Sequence, residues 1–150
     1  MQTLLKTVAV LVASASLSLA GGENWMTDWA AAKARAKAEK KPILINLTGS
    51  DWCSWCIKIE KEVFSQKAFK DFAAENVILF EADFPKKKEQ PAELKKQNAE
   101  LEKEYLNEGY PTVLILDAEG KKLSEDLGTL KGGTDAYIAK IKEVIAAGKK

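Results

Sequence analysis

Residues 41–65 read KPILINLTGSDWCSWCIKIEKEVFS, and this stretch decides the fold. After Pro42, the run ILINLT at 43–48 spells a buried strand, apolar and partly β-branched. Gly49, Ser50 and Asp51 are turn residues. From residue 53 to 63 the pattern is helical, with Trp55, Ile59 and Val63 recurring every fourth position. Strand, turn and helix therefore bring Cys53 and Cys56 to the start of a helix.

Moving outward, residues 27–40 predict a surface helix with Thr27 or Asp28 as its cap and Pro42 beyond its end. Trp25, Trp29, Ala32 and Ala36 are spaced as one apolar stripe. Ser65 is placed to cap a second helical piece carrying Phe69, Phe72 and Ala73, and VILFEA at 77–82 reads as a strand. Residues 83–91, with two prolines and Lys86, Lys87 and Lys88, read as a solvated loop. A charged helix follows over 92–106, then the strand TVLIL at 112–116. The turn 117–120 and residues 121–127 predict a hairpin partner, and 134–147 a last helix buried through Tyr137, Ile138, Ile141, Val144 and Ile145. The expected architecture is α/β: a mixed central sheet of about four strands with helices on both faces.

Composition narrows the chemistry. The chain has 150 residues, one domain's worth, with net charge +1, two Cys and no His. A near-neutral chain does not predict nucleic-acid binding. Without His, Ser-His-Asp and Cys-His nucleophiles and His-ligated zinc or haem are excluded. Two Cys alone cannot close a four-ligand zinc site, so no metal is expected. Residues 1–20 read as a cleaved signal peptide, cut after Ala20, with 21–150 as a single domain. The apolar run is too short for stable membrane insertion. Cleavage removes Lys6 and no acid, which brings the net charge to zero. An exported, periplasmic location follows, where disulfides persist.

At the first turn of a helix, free backbone N–H groups favour negative charge. Cys53 is thereby the candidate nucleophile, and Cys56, one turn deeper, the candidate resolving thiol of thiol–disulfide exchange. Two other readings are an inert structural disulfide and half of an intermolecular metal site. A three-residue spacing closes almost no loop, so a purely structural bridge contributes little.

With Trp52-Cys53-Ser54-Trp55-Cys56, and with Tyr110-Pro111-Thr112 opening a later strand, the chain resembles the thioredoxin superfamily over about residues 40–147. Lys41-Pro42, Glu60 and the run Glu62-Val63-Phe64-Ser65 make it most similar to exported proteins of the seventh thioredoxin subfamily. They also make it similar to the C-terminal domain of the bacterial transmembrane disulfide-interchange reductase. The resemblance implies a thioredoxin-like fold and a cis Pro111 lying against the Cys pair. It also implies a substrate contact at Tyr110 and a catalytic Glu60 close to the sulfurs. Trp52 and Trp55 flank the pair as further substrate-binding candidates; Trp52 is expected to pack against the fold, and Trp55 either enters the core or meets substrate. The family's Gly-Pro between the Cys is Ser54-Trp55 here, and its buried Asp is matched by Asn46, which does not titrate. Glu60 or Asp51 stands in for that Asp, or serves structure. The segment 84–106 is longer than in a plain thioredoxin.

The expected activity is that of an exported thiol–disulfide oxidoreductase, a reductase or electron relay. It needs no cofactor beyond the redox-active disulfide Cys53–Cys56. Its expected partners are protein disulfides as substrates and a membrane or envelope thiol reductase as electron source. A helix dipole alone lowers the Cys53 pKa by less than one unit, nearer to thioredoxin (~7) than to a strong oxidant (~3.5). Competing readings are a redox-silent peptide-binding or chaperone-like module, and a redox sensor docking through 84–106.

Overall fold

The computed structural model describes residues 24–128 and 130–148; the expected signal segment, residues 1–20, lies outside them. Strand β1 (Ile43–Thr48) is buried at every position, which is why apolar residues fill 43–45 and 47 without alternating, with Asn46 and Thr48 as its polar members. It lies centrally between β2 (Ile78–Asp83) and β3 (Thr112–Leu116). The β1–β2 pair is parallel, with Ile43 opposite Ile78 and Asn46 opposite Glu81. The β1–β3 pair is antiparallel, with Ile43 opposite Leu116 and Leu47 opposite Thr112.

Alternate residues build two cores. Leu44, Leu79, Val113 and Ile115 face α2 (Ser54–Ile59), the following π-helical turn Glu60–Phe64, α3 (Lys67–Asn76) and α5 (Gly133–Gly148). Ile43, Ile45, Leu47, Phe80, Leu114 and Leu116 face α1 (Trp29–Glu39) and α4 (Ala92–Tyr105). Helices on both faces and the mixed sheet are as expected. Among the described residues no helix is long and apolar enough to cross a membrane.

The expected fourth strand is not formed. Over 121–127 only Lys122 bridges to Leu116. Leu123 and Leu127 N–H donate to the carbonyls of Ile115 and Val113, each at 2.8 Å. The return bonds come from side chains: Ile115 N–H donates to Ser124 Oγ and Val113 N–H to Asp126 Oδ1, both at 2.9 Å. Two polar side chains thus replace a neighbouring strand's carbonyls. Replacing Asp126 by Ala strands the N–H of fully buried Val113, and a loss of about 1–3 kcal/mol in urea unfolding is expected. A loss below about 0.5 kcal/mol would assign that N–H another acceptor.

Other boundaries also moved. Asp28 is the α1 cap, accepting from Ala31 N–H at 2.9 Å. Trp25 leaves the expected stripe and packs across the sheet, 5.1 Å from the Phe64 ring. Ser65 does not cap α3, whose N-cap is Gln66. Instead Ser65 N–H donates to the Glu60 carbonyl at 2.8 Å, closing the π turn. Helix α4 is an integral layer: Leu101 and Tyr105 are buried, and Asn98 Nδ2 donates to the Asp83 carbonyl at 3.0 Å.

Candidate active site

The turn at 49–51 carries the chain from β1 into α2 and is tied down on two sides. Ser50 N–H and Oγ donate to the Asp83 carboxylate at 2.9 and 2.6 Å. Asp51 accepts from Lys86 and Lys87 N–H at 2.9 and 2.8 Å. These two donors, led by Lys86, hold the Asp51 carboxyl below its ordinary range. The side chains of Lys86, Lys87 and Lys88 are exposed, but the Lys86 and Lys87 backbone is fastened to the motif. Asp51 therefore ties the turn before Cys53 to the segment that carries Lys86 and Lys87. Gly49 is required by close approach, since a Cβ there would sit 2.4 Å from the Trp52 ring.

Cys53 is the N-cap of α2, and its Sγ accepts from Cys56 N–H at 3.2 Å. Gly49 N–H points at Cys56 Sγ from 3.5 Å. The two sulfurs form a disulfide with Cα atoms 5.2 Å apart. Cys53 is 7% exposed and Cys56 2%, so the first sulfur is the more accessible. Tyr110–Pro111 is a cis bond, as the resemblance implied. The Tyr110 carbonyl lies 3.6 Å from Cys53 Sγ. In the disulfide this is a packing contact, because sulfur has no proton to donate; the reduced thiol has one. A Cβ on Gly128 would come within 2.2 Å of the Pro111 carbonyl oxygen, so Gly128 lets the loop sit where it does.

The two tryptophans part company. Trp52 packs, with Nε1 donating to the Phe84 carbonyl at 2.7 Å, its ring edge-on to Tyr110, and Lys86 Nζ 3.7 Å above it. Trp55 is 66% exposed, which removes the core reading. It borders a groove of about 360 Å³ together with Ile59, Tyr110, Pro111, Leu130 and Tyr137. The Tyr110 hydroxyl is turned to α4, where it donates to Glu102. Burial, with Glu102 beside it, pushes that phenol up, so it stays neutral.

Glu60 opens the π turn, and its Oε1 accepts from Ser65 Oγ at 2.8 Å. It lines the same cleft as Cys56, together with Asn46 and Glu81. Glu81 was not singled out from the sequence. The signal was one acid inside the apolar run at 77–82. Burial first, then the Asp83 and Glu60 charges, push Glu81 up to about 8, with Lys88 opposing.

Known proteins place this geometry. The family described as "Thioredoxin-like" matches residues 24–118. The chain is 40% identical to "Disulfide bond reductase DsbH" of Chlamydia pneumoniae over 117 residues, 78% of this chain and 70% of that protein. It is 32% identical to "Thiol:disulfide interchange protein DsbD" of Klebsiella pneumoniae over 93 residues, 62% of this chain but 14% of that longer protein. A solved structure titled "DsbH Oxidoreductase" superposes with TM-score 0.77 at 34% identity, covering 97% of this chain and 95% of that one.

Proposed function

The chain belongs to the thioredoxin-like family and is a thiol–disulfide oxidoreductase; on that premise we propose that it works as an exported reductase or electron relay for envelope disulfides. One observation carries this reading: a Cys53–Cys56 disulfide at a helix start, facing the carbonyl before cis Pro111. In the reaction, the Cys53 thiolate attacks a substrate disulfide and forms a mixed disulfide. Cys56 then attacks Cys53 Sγ, restoring the internal disulfide and releasing the substrate as a dithiol. No cofactor beyond that disulfide is needed. An envelope or membrane thiol reductase would recharge the pair. Trp55 and the groove beside Pro111 would receive the substrate chain.

The direction follows from charge. No His stands near the pair, and Glu60 shares the Cys56 cleft with a Glu81 carboxyl that burial keeps protonated. Neighbouring carboxylates disfavour a thiolate, so the reduced form is not specially stabilised and gives up its electrons readily. Equilibration with glutathione should return a potential near about −270 mV; a value near about −120 mV would make the protein an oxidant. A redox-silent peptide-binding module would show no dithiol cycling in the same titration.

A further inference from the structure

Cys56 opens onto a cleft of about 460 Å³ whose lining shares no residue with the groove beside Pro111. Its floor is made by Asn46 of β1 and Glu81 of β2. These two are register partners in a parallel pair, so their side chains leave the sheet on the same face. Deeper on that face lie the apolar residues Leu44, Leu79, Val113 and Ile115, beneath α2 and α5, and toward its end stand Thr48 and Asp83, also register partners. Asn46 and Glu81 sit between the two, in the cleft that Cys56 also lines.

The carboxamide needs a donor. Asn46 is 2% exposed, and its Oδ1 has no hydrogen-bond partner among the described residues. The other acids near the cleft are already engaged. Asp83 takes Ser50 N–H and hydroxyl and lies 3.8 Å from Lys88 Nζ, and Glu60 takes the Ser65 hydroxyl. Lys61, on the π turn, also lines the cleft. The shift on Glu81 arises from burial and charges alone, without a hydrogen bond. A neutral Glu81 carboxyl in the same cleft carries a proton that one bridging water would deliver to Asn46.

We propose that Glu81 exchanges a proton with Cys56 during each redox half-cycle and that Asn46 holds its carboxyl in place. The inference rests on the thiol–disulfide reading above. When a donor thiolate attacks Cys53 Sγ, the internal S–S bond breaks and Cys56 leaves as a thiolate. The proton of the Glu81 carboxyl moves to Cys56, leaving a carboxylate. When Cys53 later carries a substrate in mixed disulfide, the Glu81 carboxylate takes that proton back. The Cys56 thiolate attacks Cys53 Sγ, the bond to substrate breaks, and the substrate sulfur leaves with the electron pair and takes its proton from water. A carboxyl held near 8 has almost the proton affinity of a thiol, about 8.5, so transfer is cheap both ways.

The test follows the closing step. Reduced protein is mixed with glutathione disulfide, and the rate at which the mixed disulfide closes to Cys53–Cys56 is followed from pH 5 to 10. Glu81→Gln should close at least about tenfold more slowly at pH 7 and lose an inflection near pH 8 that the wild type shows. Adding Asn46→Asp to Glu81→Gln, which moves the carboxyl to the register partner, should restore part of the rate. A Glu81→Gln profile within twofold of wild type overturns the proposal. So does loss of the inflection in Glu60→Gln alone, which would give the role to Glu60. If Glu81→Gln does not fold, carboxyl 13C titration of the wild type decides. The Glu81 midpoint should differ between the disulfide and dithiol forms, and equal midpoints overturn the proposal. Wild-type thiols that form no mixed disulfide at all would instead bring down the oxidoreductase reading, with this inference.

Discussion

Cys56→Ala should turn the protein into a trap: Cys53 still attacks, and nothing nearby resolves the mixed disulfide. The geometry behind this is unequal exposure. Cys53 caps α2 at the surface edge and faces the Tyr110 carbonyl, while Cys56 lies under it at 2% exposure. Resolution by Cys56 is intramolecular, and a well-placed group acts as though present at about 10⁵ M or more. An external thiol at millimolar concentration is a poor substitute, so release should slow at least about a thousandfold. Non-reducing gels of envelope extracts should show bands shifted by bound partners with Cys56→Ala, and few with Cys53→Ala. Insulin reduction should fall to background in both. More adducts through Cys56 than through Cys53 would reverse the assigned roles.

The second large effect is on stability against pH. Glu81 titrates near 8 in the folded chain, against 4.5 for an ordinary Glu. Between those values the folded state holds a proton that the unfolded state has lost. Stability must then fall as pH rises through this window. The contribution is whole below about 4.5 and gone above about 8. Solvent at the cleft mouth screens part of the effect, and about 2–3 kcal/mol is expected. Glu81→Gln cannot ionise. Urea unfolding of the oxidised forms should therefore show the variant gaining on wild type by that amount between pH 4.5 and 8.5. Carboxyls outside the Glu60–Glu81–Asp83 cluster titrate alike in both proteins and cancel. A difference that stays constant with pH would mean Glu81 ionises freely in the fold.

Much of the architecture was legible because burial leaves a pattern. ILINLT carries apolar residues on both of its faces because helices cover both faces of β1, and the turn before Cys53 is written in Gly, Ser and Asp. The false strand at 121–127 has an equally plain cause. Leu123, Ser124, Glu125, Asp126 and Leu127 place apolar and polar residues much as a half-buried strand would. Only the three-dimensional arrangement shows Ser124 and Asp126 oxygens accepting from β3 N–H groups in place of a backbone. The π turn at Glu60 had no local signal, because it is set by packing of Val63 and Phe64 into the core. Asn46 was recognisable from its alignment with a family Asp. Glu81 was not, since parallel register is needed to bring it beside Asn46.

The side-chain closure of β3 has one more consequence. An outer strand with free N–H and carbonyl groups is a template on which another chain can polymerise. Here the outward groups of Val113 and Ile115 are all occupied. On the opposite border, Met26 bonds Leu79 and Glu81 of β2, and the amides of Gln90 and Asn98 cover the Asp83 carbonyl. An exposed segment of another chain thus finds little edge to add to, and the sheet is guarded on both borders against growing by recruitment.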